Sequence, residues 1–597
     1  MKRLLGQRSR QDQSAILLGL IFLGTLFFAS AVSSMPPQPS PELLSDPFLQ
    51  LPTADGVRVV WFTEFEGERH EVHYGPDLGQ VAIAHTRRLS RTREDQNSQI
   101  SVQNLTLPLN GQPVPRAIWR HEATITGLRA GERVPYRVVS VHQDGQTARS
   151  EVFALGPLPR PEAPLKILLT SDHQLKPMTA ANAQKVVETV GPVDAVWFAG
   201  DLVNVPDRAS EWFDDRRGNA FFPVLQGRAH YSVGEGDRAV TYRGGALIQS
   251  APLYAAIGNH EVMGRFSGDR SLNSQFADPV PRAIAAAQAE PMDFADPAER
   301  DRWLENQSFN TKTYEEIFTL PRSPSGDQRY YAVTFGSVRL VVLYVTQIWR
   351  SPSREPTIRG RYQERTQDLE NPQQWGHGQH IFEPISAGSP QYRWLQTELA
   401  SPEFQQARYR VVMLHHPPHS LGENSVPPFT DPVAVRQYAT DGALTAIRYE
   451  YPPERDYLIR DLVPLLEEAG TDLVFYGHSH LWNRFRSDRG LHFLETSNVG
   501  NSYGAYVGDL RRPVPTDHSV SYAATGNPNG LAPVMPTIAP LLDAQGQPQP
   551  YIASNHITVF SVFETATGTI SSYRFDTLRP DSPVIKFDAF SLGRPAP

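Results

Sequence analysis

The segment from Gly477 to His480 carries two histidines one residue apart, His478 and His480, directly after the apolar residues 473–475. Imidazoles in this spacing can each bind a different metal ion. Carboxylates, an amide and a third imidazole also follow apolar runs, and hard or borderline divalent ions accept this mixture of donors. Two such ions about 3.5–4 Å apart can cleave phosphate esters, because they activate water and neutralise phosphoryl charge. We therefore expect a two-metal phosphoesterase site, and its other candidate ligands are Asp172, Asp201, Asn259 and His415.

The elements that must position these residues are predicted to be strands of an α/β fold. Each candidate ligand follows a short apolar run, and the strand–helix–strand order after residue 165 indicates an α/β layer. Ligands of such sheets gather beyond the carboxyl ends of the strands, so we expect the five motifs to converge on one site. The predicted strands are 165–170, 194–198, 253–257, 338–345, 409–414 and 472–476, the predicted helices are 182–190, 390–399 and 458–469, and a C-terminal hairpin is predicted over 558–575.

Five ordered motifs carry a resemblance to a known family: SDHQ from residue 171, GD from 200, GNHE from 258, HHPP from 415 and GHSH from 477. They resemble the calcineurin-like metallophosphoesterase superfamily over about 165–510. The resemblance implies a four-layer α/β/β/α domain and attack on phosphorus by a metal-bound hydroxide. It implies that Asp172 and His480 bind the first metal, that Asp201 bridges, that Asn259, His415 and His478 bind the second metal, and that His260 and Asp201 are the catalytic residues.

Two positions depart from the family pattern. Gln174 stands where members usually have histidine, and we expect its side-chain oxygen to bind the first metal. Asn204 stands where purple acid phosphatases have a ligating tyrosine. The loss of an imidazole or phenolate donor favours Mn²⁺ over Fe³⁺, with Zn²⁺ and Fe²⁺ as alternatives for the two divalent ions. The neighbouring His416 is open between support of the site and simple packing.

Residues 46–155 are predicted to form a separate all-β region. Short alternating segments separated by turn residues indicate a β-sandwich. The order of Trp61, the turn around Gly127 and Gly131, and Tyr136 resembles fibronectin type III-like domains, in particular the N-terminal domain of purple acid phosphatases. Trp61 and Tyr136 are expected to pack in the core. The Pro-rich residues 156–164 are predicted to be a stiff linker, and the catalytic domain is predicted over 165–597.

The N-terminus and the composition predict export. Basic residues precede the apolar run 15–32, which ends in Ala29-Ser30-Ala31, so residues 1–35 are typical of a signal peptide, with an uncleaved membrane anchor as the alternative. The 597 residues contain no cysteine, which excludes disulfides and thiolate metal sites. Lysine and arginine number 56 against 64 acidic residues, and no basic block follows the N-terminus, so a nucleic-acid partner is not expected.

These observations together predict an exported metal-dependent phosphoesterase. The first choice is hydrolysis of small phosphate monoesters, because the N-terminal region resembles that of purple acid phosphatases. Gln174 favours the alternative of a phosphodiesterase or nucleotide pyrophosphatase, because related diphosphatases have a similar Asp-x-Gln motif. A third hypothesis is an inert surface binding module, which the complete set of candidate ligands disfavours.

Overall fold

Strands begin within ten residues of the first described position. The computed structural model describes residues 41–100, 112–234, 236, 239–324, 327–426, 428–515 and 522–593. The predicted signal peptide or anchor at 1–35 lies outside these described residues. The described residues from 41 to 593 form one compact unit. None of the helices in the described part of the chain combines the length and the hydropathy needed to cross a membrane.

The N-terminal region consists of antiparallel sheets, as predicted. Trp61 and Tyr136 are fully buried in its core, and the Trp61 Nε1–H donates to Ser140 Oγ at 2.9 Å. The strands are β1 Phe48–Thr53, β2 Gly56–Thr63, β3 Arg69–Tyr74, β4 Gln80–Ile83, β5 His85–Arg88, β6 Arg93–Glu94, β7 Val114–Pro115, β8 Trp119–Ile125, β9 Val134–Val141, β10 Thr147–Arg149 and β11 Phe153–Leu155. One sheet has the order β1-β2-β8-β5 and the other β10-β9-β3-β4, with β11 paired to β9, while β6 and β7 form a small ribbon.

The catalytic region is built on two larger mixed sheets. Its strands are β12 Lys166–Thr170, β13 Ala195–Phe198, β14 Tyr231–Val233, β15 Val240–Tyr242, β16 Leu253–Ala255, β17 Tyr331–Phe335, β18 Val338–Val342, β19 Tyr409–Met413, β20 Val433–Tyr438, β21 Leu444–Glu450, β22 Leu473–Tyr476, β23 Trp482–Arg486, β24 His492–Thr496, β25 Leu541–Leu542, β26 Pro548–Gln549, β27 Tyr551–Ile552, β28 Ile557–Glu564, β29 Thr569–Asp576 and β30 Ile585–Ser591. One sheet has the order β16-β13-β12-β28-β29-β30, the second has the order β17-β18-β19-β22-β24-β23-β27, and β14-β15, β20-β21 and β25-β26 are two-stranded.

The two large sheets pack face to face, and the side chains of their strands alternate between the two faces of each sheet. In β19, Val411 and Met413 join the core shared with the first sheet, whereas Val412 joins a second core on the outer face. Successive side chains of a strand point to opposite faces, so an apolar run such as β19 becomes buried on both sides. Helices cover the outer faces, and the predicted α/β/β/α architecture is confirmed. The helices are α1 Thr179–Val190, α2 Ala209–Phe213, α3 Phe221–Leu225, α4 Leu272–Phe276, α5 Arg282–Ala289, α6 Pro297–Gln307, α7 Lys312–Ile317, α8 Pro390–Leu399, α9 Pro402–Gln405 and α10 Val463–Glu468, the last preceded by a π-helical turn, Leu458–Leu462.

The β-sandwich shares a hydrophobic core with the catalytic region. Phe48 and Phe62 from β1 and β2 lie 5.1 and 5.4 Å, ring centre to ring centre, from Phe222 of α3. Arg116 adds a bidentate ion pair to Asp214 just after α2. Aromatic rings at these separations stabilise a contact beyond the area they bury. The Pro-rich residues 156–164 therefore mark a change of fold and not a break in packing.

Candidate metal centre

The five sequence motifs meet where the two large sheets present the carboxyl ends of their strands. Asp172 follows β12, Asp201 follows β13, and Asn259 opens the short 3₁₀ turn Asn259–Glu261 after β16, all from the first sheet. His415 and His478 follow β19 and β22 of the second sheet. Each motif lies within four residues of a strand end, so the strand order of each sheet and the face-to-face packing of the two sheets bring them together.

Three buried donors form the first cluster: Asp172, Asp201 and His480, with ligand atoms all within 4.8 Å of one another. His480 Nε2 lies 3.4 Å from Asp172 Oδ1. The other ring nitrogen, Nδ1, is held by Asn501 Oδ1 at 2.7 Å. An oxygen acceptor on one ring nitrogen fixes the tautomer that leaves the other nitrogen as a metal ligand. Asn501 was not identified from the sequence, because it lies on a loop 21 residues further along the chain.

The second cluster contains His415, His416 and His478, also within 4.8 Å of one another. His415 Nδ1 donates to Ala199 O at 2.7 Å, so that its Nε2 carries the lone pair. This Nε2 lies 3.3 Å from both Asn259 Oδ1 and Asp201 Oδ2. Asp201 therefore contributes to both clusters, which is the placement that a bridging carboxylate requires.

His416 belongs to this second cluster geometrically. Its ring stacks on the His478 ring at 3.7 Å between centres, and the side chain is 2 % exposed. Neither of its ring nitrogens has a hydrogen-bond partner among the described residues. Buried polar atoms without partners are uncommon. Simple apolar packing is one of the two interpretations of His416 that the sequence left open. It does not explain why two ring nitrogens are buried without hydrogen-bond partners.

Four of the candidate ligands have a left-handed backbone conformation. The φ angles of Asp172, Asp201, His478 and His480 are 51°, 60°, 83° and 53°. Positive φ is uncommon for residues other than glycine and costs about 1–3 kcal/mol where the surroundings impose it. Concentrated strain of this kind is typical of functional sites, because precise placement of a side chain offsets the local cost.

The glycine of the GHSH motif allows the two halves of the site to approach. A Cβ on Gly477 would lie 2.3 Å from Asp172 Oδ2. The same contact lets the His478 backbone N–H donate to Asp172 Oδ2 at 3.0 Å. A side chain at position 477 would therefore displace a candidate ligand of the first cluster.

Glu261 supports the loop that carries the shared carboxylate. It is fully buried, and it accepts the backbone N–H groups of Asp201 and Leu202 at 2.8 Å and of Gly258 at 2.7 Å. Three hydrogen bonds to one carboxylate fix two ligand-bearing loops relative to each other. Its position in GNHE was visible in the sequence, but this role was not identified.

His260 lies in the wall of the cavity next to the two clusters. Its backbone N–H donates to Asp201 Oδ1 at 2.9 Å, and its Nδ1 contacts Asn204 O at 2.8 Å. The ring lines the main cavity and packs 5.1 Å from Phe276. With Nδ1 engaged by a carbonyl, Nε2 is the nitrogen available toward a substrate.

Gln174 reaches the site through its amide nitrogen. Its Nε2 donates to Asp201 Oδ2 at 2.7 Å, while its Oε1 is buried without a partner among the described residues. An oxygen without a partner beside a carboxylate is a suitable donor for a hard cation. Asn204, at the position of the family tyrosine, instead donates its Nδ2–H to Gln174 O at 2.6 Å.

Burial disfavours the charged forms of the carboxyl and imidazole groups in this site. Desolvation raises the pKa of Asp172, and it would do the same to Asp201, but His415 and His260 hold the pKa of Asp201 well below its usual range. Although burial opposes the charge of His415, Asp201 raises the pKa of His415. Burial lowers the pKa of His480 to about 3. Divalent cations would replace the shared protons and compensate both carboxylates.

The sequence model of the calcineurin-like phosphoesterase family matches residues 165–481, more than half of the chain. The chain belongs to the calcineurin-like phosphoesterase family. As a calcineurin-like phosphoesterase it is a metal-dependent phosphoric ester hydrolase, and the two buried clusters are its candidate metal-binding sites.

Comparison with solved structures gives remote similarities to this calcineurin-like phosphoesterase. Purple acid phosphatase PPD1 from yellow lupin (Lupinus luteus) seeds is 14% identical, with 91% of this chain and 74% of that chain covered and a TM-score of 0.48. PhoD is 11% identical, with 91% and 92% covered and a TM-score of 0.39. GAP50 of Plasmodium is 11% identical, with 71% and 89% covered and a TM-score of 0.28. No curated protein matches the sequence.

A cavity of about 930 Å³ opens onto the two clusters of the phosphoesterase. Asp201, Asn259 and His478 line it, together with segments of the long connections that follow β16 and β18. Its remaining wall is largely aromatic, aliphatic and cationic. A volume of this size accommodates a ligand larger than a phosphate group alone. This wall includes Phe276, Ile348, Trp349, Arg350, Ile358, Arg359, Arg365, Phe382, Glu423 and Tyr503.

Proposed function

We propose that the protein is an exported two-metal phosphoesterase that hydrolyses phosphate monoesters. The observation that carries this proposal is the pair of buried donor clusters that share Asp201 at the base of a large cavity. Asp172, Gln174 and His480 would hold one ion, and Asn259, His415 and His478 would hold the other, with Asp201 between them. A pair of divalent ions, when bound, supplies activation of water and neutralisation of phosphoryl charge.

The protein's own residues orient the ester and handle its protons. Because the His260 Nδ1–H donates to Asn204 O, Nε2 would accept a proton or hydrogen bond in the neutral ring and would donate to an ester oxygen only as an imidazolium. Lys176 lies within the electrostatic reach of Asp172 and Asp201, and burial lowers its pKa. Its ammonium group adds positive charge near these two carboxylates. The sequence shows Lys176 four residues after Asp172, but its spacing alone carries no motif.

We propose Mn²⁺ as the preferred ion, with Zn²⁺ or Fe²⁺ as alternatives. Gln174 supplies an amide oxygen where family members usually supply an imidazole, and a harder donor set favours a harder ion. The test is elemental analysis of protein purified without chelators, followed by titration of the stripped protein with each ion. Two manganese ions per chain with the highest activity support the proposal, whereas two tightly bound irons with a tyrosinate-like visible absorption contradict it.

Activity on matched esters tests the reaction itself. Protein reconstituted with each ion is assayed with 4-nitrophenyl phosphate and bis(4-nitrophenyl) phosphate, and we expect the higher kcat/KM for the monoester. His478→Ala is the matched negative control, which should fold but lose one ion and the activity. A clear preference for the diester would overturn the monoester assignment, and absence of turnover with every ion would favour the inert binding module.

A phosphodiesterase or pyrophosphatase is the second candidate, and the cavity gives it specific support. A second cavity of about 570 Å³ also includes His260 and Phe276 in its lining, so further space is available next to this pair. A diester places substituents on both sides of the reacting phosphorus, whereas a monoester needs only one such space. The same pair of substrates decides between them.

Export is the remaining part of the proposal. It draws on the basic N-terminus, the apolar run 15–32 and the absence of cysteine from the sequence. Fractionation of cells that express the full chain with a C-terminal epitope should recover it outside the cytoplasm. Mass determination of the N-terminus then distinguishes cleavage near residue 31 from a retained anchor.

A further inference from the structure

Three arginines line the same cavity as the candidate metal ligands: Arg350, Arg359 and Arg365. They come from the long loop after β18, and Arg350 is 5 % exposed. The metal-site chemistry described above uses none of them. Arginine in a partly desolvated wall is costly unless an anion compensates it.

One shared carboxylate neutralises only part of this cationic wall. Asp278, 2 % exposed, accepts ion pairs from Arg265 at 2.8 Å, Arg270 at 2.9 Å and Arg359 at 3.0 Å. A single negative charge therefore faces three guanidinium groups. Arg365 pairs with Asp368 next to it in the fold. Because the single carboxylate of Asp278 pairs with three guanidinium groups, positive charge is in excess beside the cavity.

Arg350 has no carboxylate partner among the described residues. Its two terminal nitrogens donate to the carbonyl oxygens of Ala277 at 2.8 Å and Gly376 at 3.0 Å, and its buried Nε has no hydrogen-bond partner there. Burial and the adjacent Arg359 lower the pKa of Arg350 to about 10, which leaves it charged at neutral pH. Its full charge thus adds to the excess at Asp278.

Two other carboxylates lie close to this wall, and the charge of one of them, Glu364, acts on Arg350. Glu364 accepts hydrogen bonds from the backbone of Gly376 and His377 and from Tyr449. Glu423 lines the cavity but accepts a hydrogen bond from Tyr506 at 3.0 Å and interacts with the charge of Arg512. Neither forms an ion pair with Arg350 or Arg359 among the described residues.

We propose that this arginine wall binds a second anionic group of the substrate, so that the preferred phosphate ester carries another phosphate or carboxylate on its alcohol part. Arg350 and Arg359 would bind that group with charge-assisted hydrogen bonds, which planar guanidinium groups form in a bidentate geometry. Ile348, Trp349 and Ile358 lie beside them in the lining and offer apolar contact to the carbon chain between the two anions. The inference rests on the proposed phosphoester hydrolysis at the adjoining clusters.

Three alkyl esters of equal chain length test the proposal. Hexyl phosphate carries one anion, hexanediol bisphosphate carries a second phosphate, and phosphooxyhexanoate carries a carboxylate instead. We expect the metal-loaded protein to favour the two compounds that carry a second anionic group over hexyl phosphate by about tenfold or more in kcat/KM, the effect of one or more charged hydrogen bonds. Comparison of phosphate with carboxylate identifies which anion the wall prefers.

Two arginine variants separate this subsite from a general charge effect. Arg359→Gln removes a guanidinium that lines the cavity, and we expect the preference for bisphosphate over hexyl phosphate to fall toward one. Arg270→Gln is the matched control, because Arg270 contacts the same Asp278 but is not part of the cavity lining. It should retain the preference. Equal loss in both variants, or no preference in the wild-type protein, overturns the proposal.

Failure of the proposed reaction is distinguishable from failure of the subsite. If the protein hydrolyses none of the three monoesters, calorimetry still measures their binding to the metal-loaded protein. Tighter binding of the bisphosphate, lost in Arg359→Gln and kept in Arg270→Gln, supports the anion subsite and rejects the monoesterase assignment. Equal binding of all three compounds rejects the subsite.

Discussion

Glu261→Gln should weaken metal binding by about 10- to 100-fold while leaving a folded protein. Glu261 Oε2 accepts the N–H groups of Asp201 and Gly258, and Oε1 accepts that of Leu202. A glutamine in the same position keeps an oxygen toward the first two donors but turns an NH₂ group toward the third. One charge-assisted hydrogen bond is lost and one buried N–H is left without an acceptor.

The magnitude follows from the charges around Glu261. A lost hydrogen bond to a charged group costs about 1.5–3 kcal/mol, which corresponds to about one to two decades in a binding constant. Burial and the charge of Asp201 raise the pKa of Glu261. The ionised form of Glu261 is therefore disfavoured unless a bound cation neutralises the charge of Asp201. Removal of that charge therefore relieves repulsion in metal-free protein. We expect the loss to appear mainly in metal affinity and less in the unfolding of stripped protein.

Metal titration of the stripped protein, paired with denaturant unfolding with and without metal, is the assay. Glu94→Gln is the matched control, because Glu94 is also fully buried and accepts a backbone N–H, that of Ser210 at 2.8 Å, but does not contact a candidate metal ligand. It should lower stability and leave metal affinity unchanged. Wild-type metal affinity and stoichiometry in Glu261→Gln would refute the reasoning.

Three further outcomes are expected. Asn501→Leu removes the acceptor of His480 Nδ1 and should weaken metal binding about 10- to 100-fold, with Asn501→Asp as the variant that restores an acceptor; equal affinity in both would contradict the tautomer argument. Gly477→Ala places a methyl group 2.3 Å from Asp172 Oδ2, so elemental analysis should find metal lost from the first cluster, and full occupancy would contradict the steric argument. Burial raises the pKa of Asp456 to about 6, so its contribution to stability is present below about pH 4 and is lost as the pH rises through 6. Asp456→Asn should therefore gain relative to wild type by about 1.4 kcal/mol per pH unit over that interval in denaturant unfolding of stripped protein, and parallel curves would contradict the assignment.

The sequence by itself determined the strands and the residue types at their carboxyl ends. Apolar runs followed by Asp172, Asp201, Asn259, His415 and His478 are local patterns, and the end of a strand is fixed by a few residues of chain. Sheet topology then guarantees that strand ends on one edge meet. For this reason an α/β layer, the sandwich strands and the grouping of the candidate ligands could be expected before the structure, whereas the four-layer α/β/β/α architecture was expected from the family resemblance.

Only the tertiary structure decided how those ligands are held and what surrounds them. Asn501 reaches His480 from a loop, Glu261 joins two loops through backbone N–H groups, and His416 lies in the second cluster with two ring nitrogens that have no hydrogen-bond partner in the described part of the chain. The excess charge beside the cavity depends on Arg359 and its neighbours meeting one carboxylate from a different loop. Such contacts have no period and no fixed spacing along the chain. They depend on the packing of long loops over the sheet edge, and that packing is set by burial and charge in three dimensions.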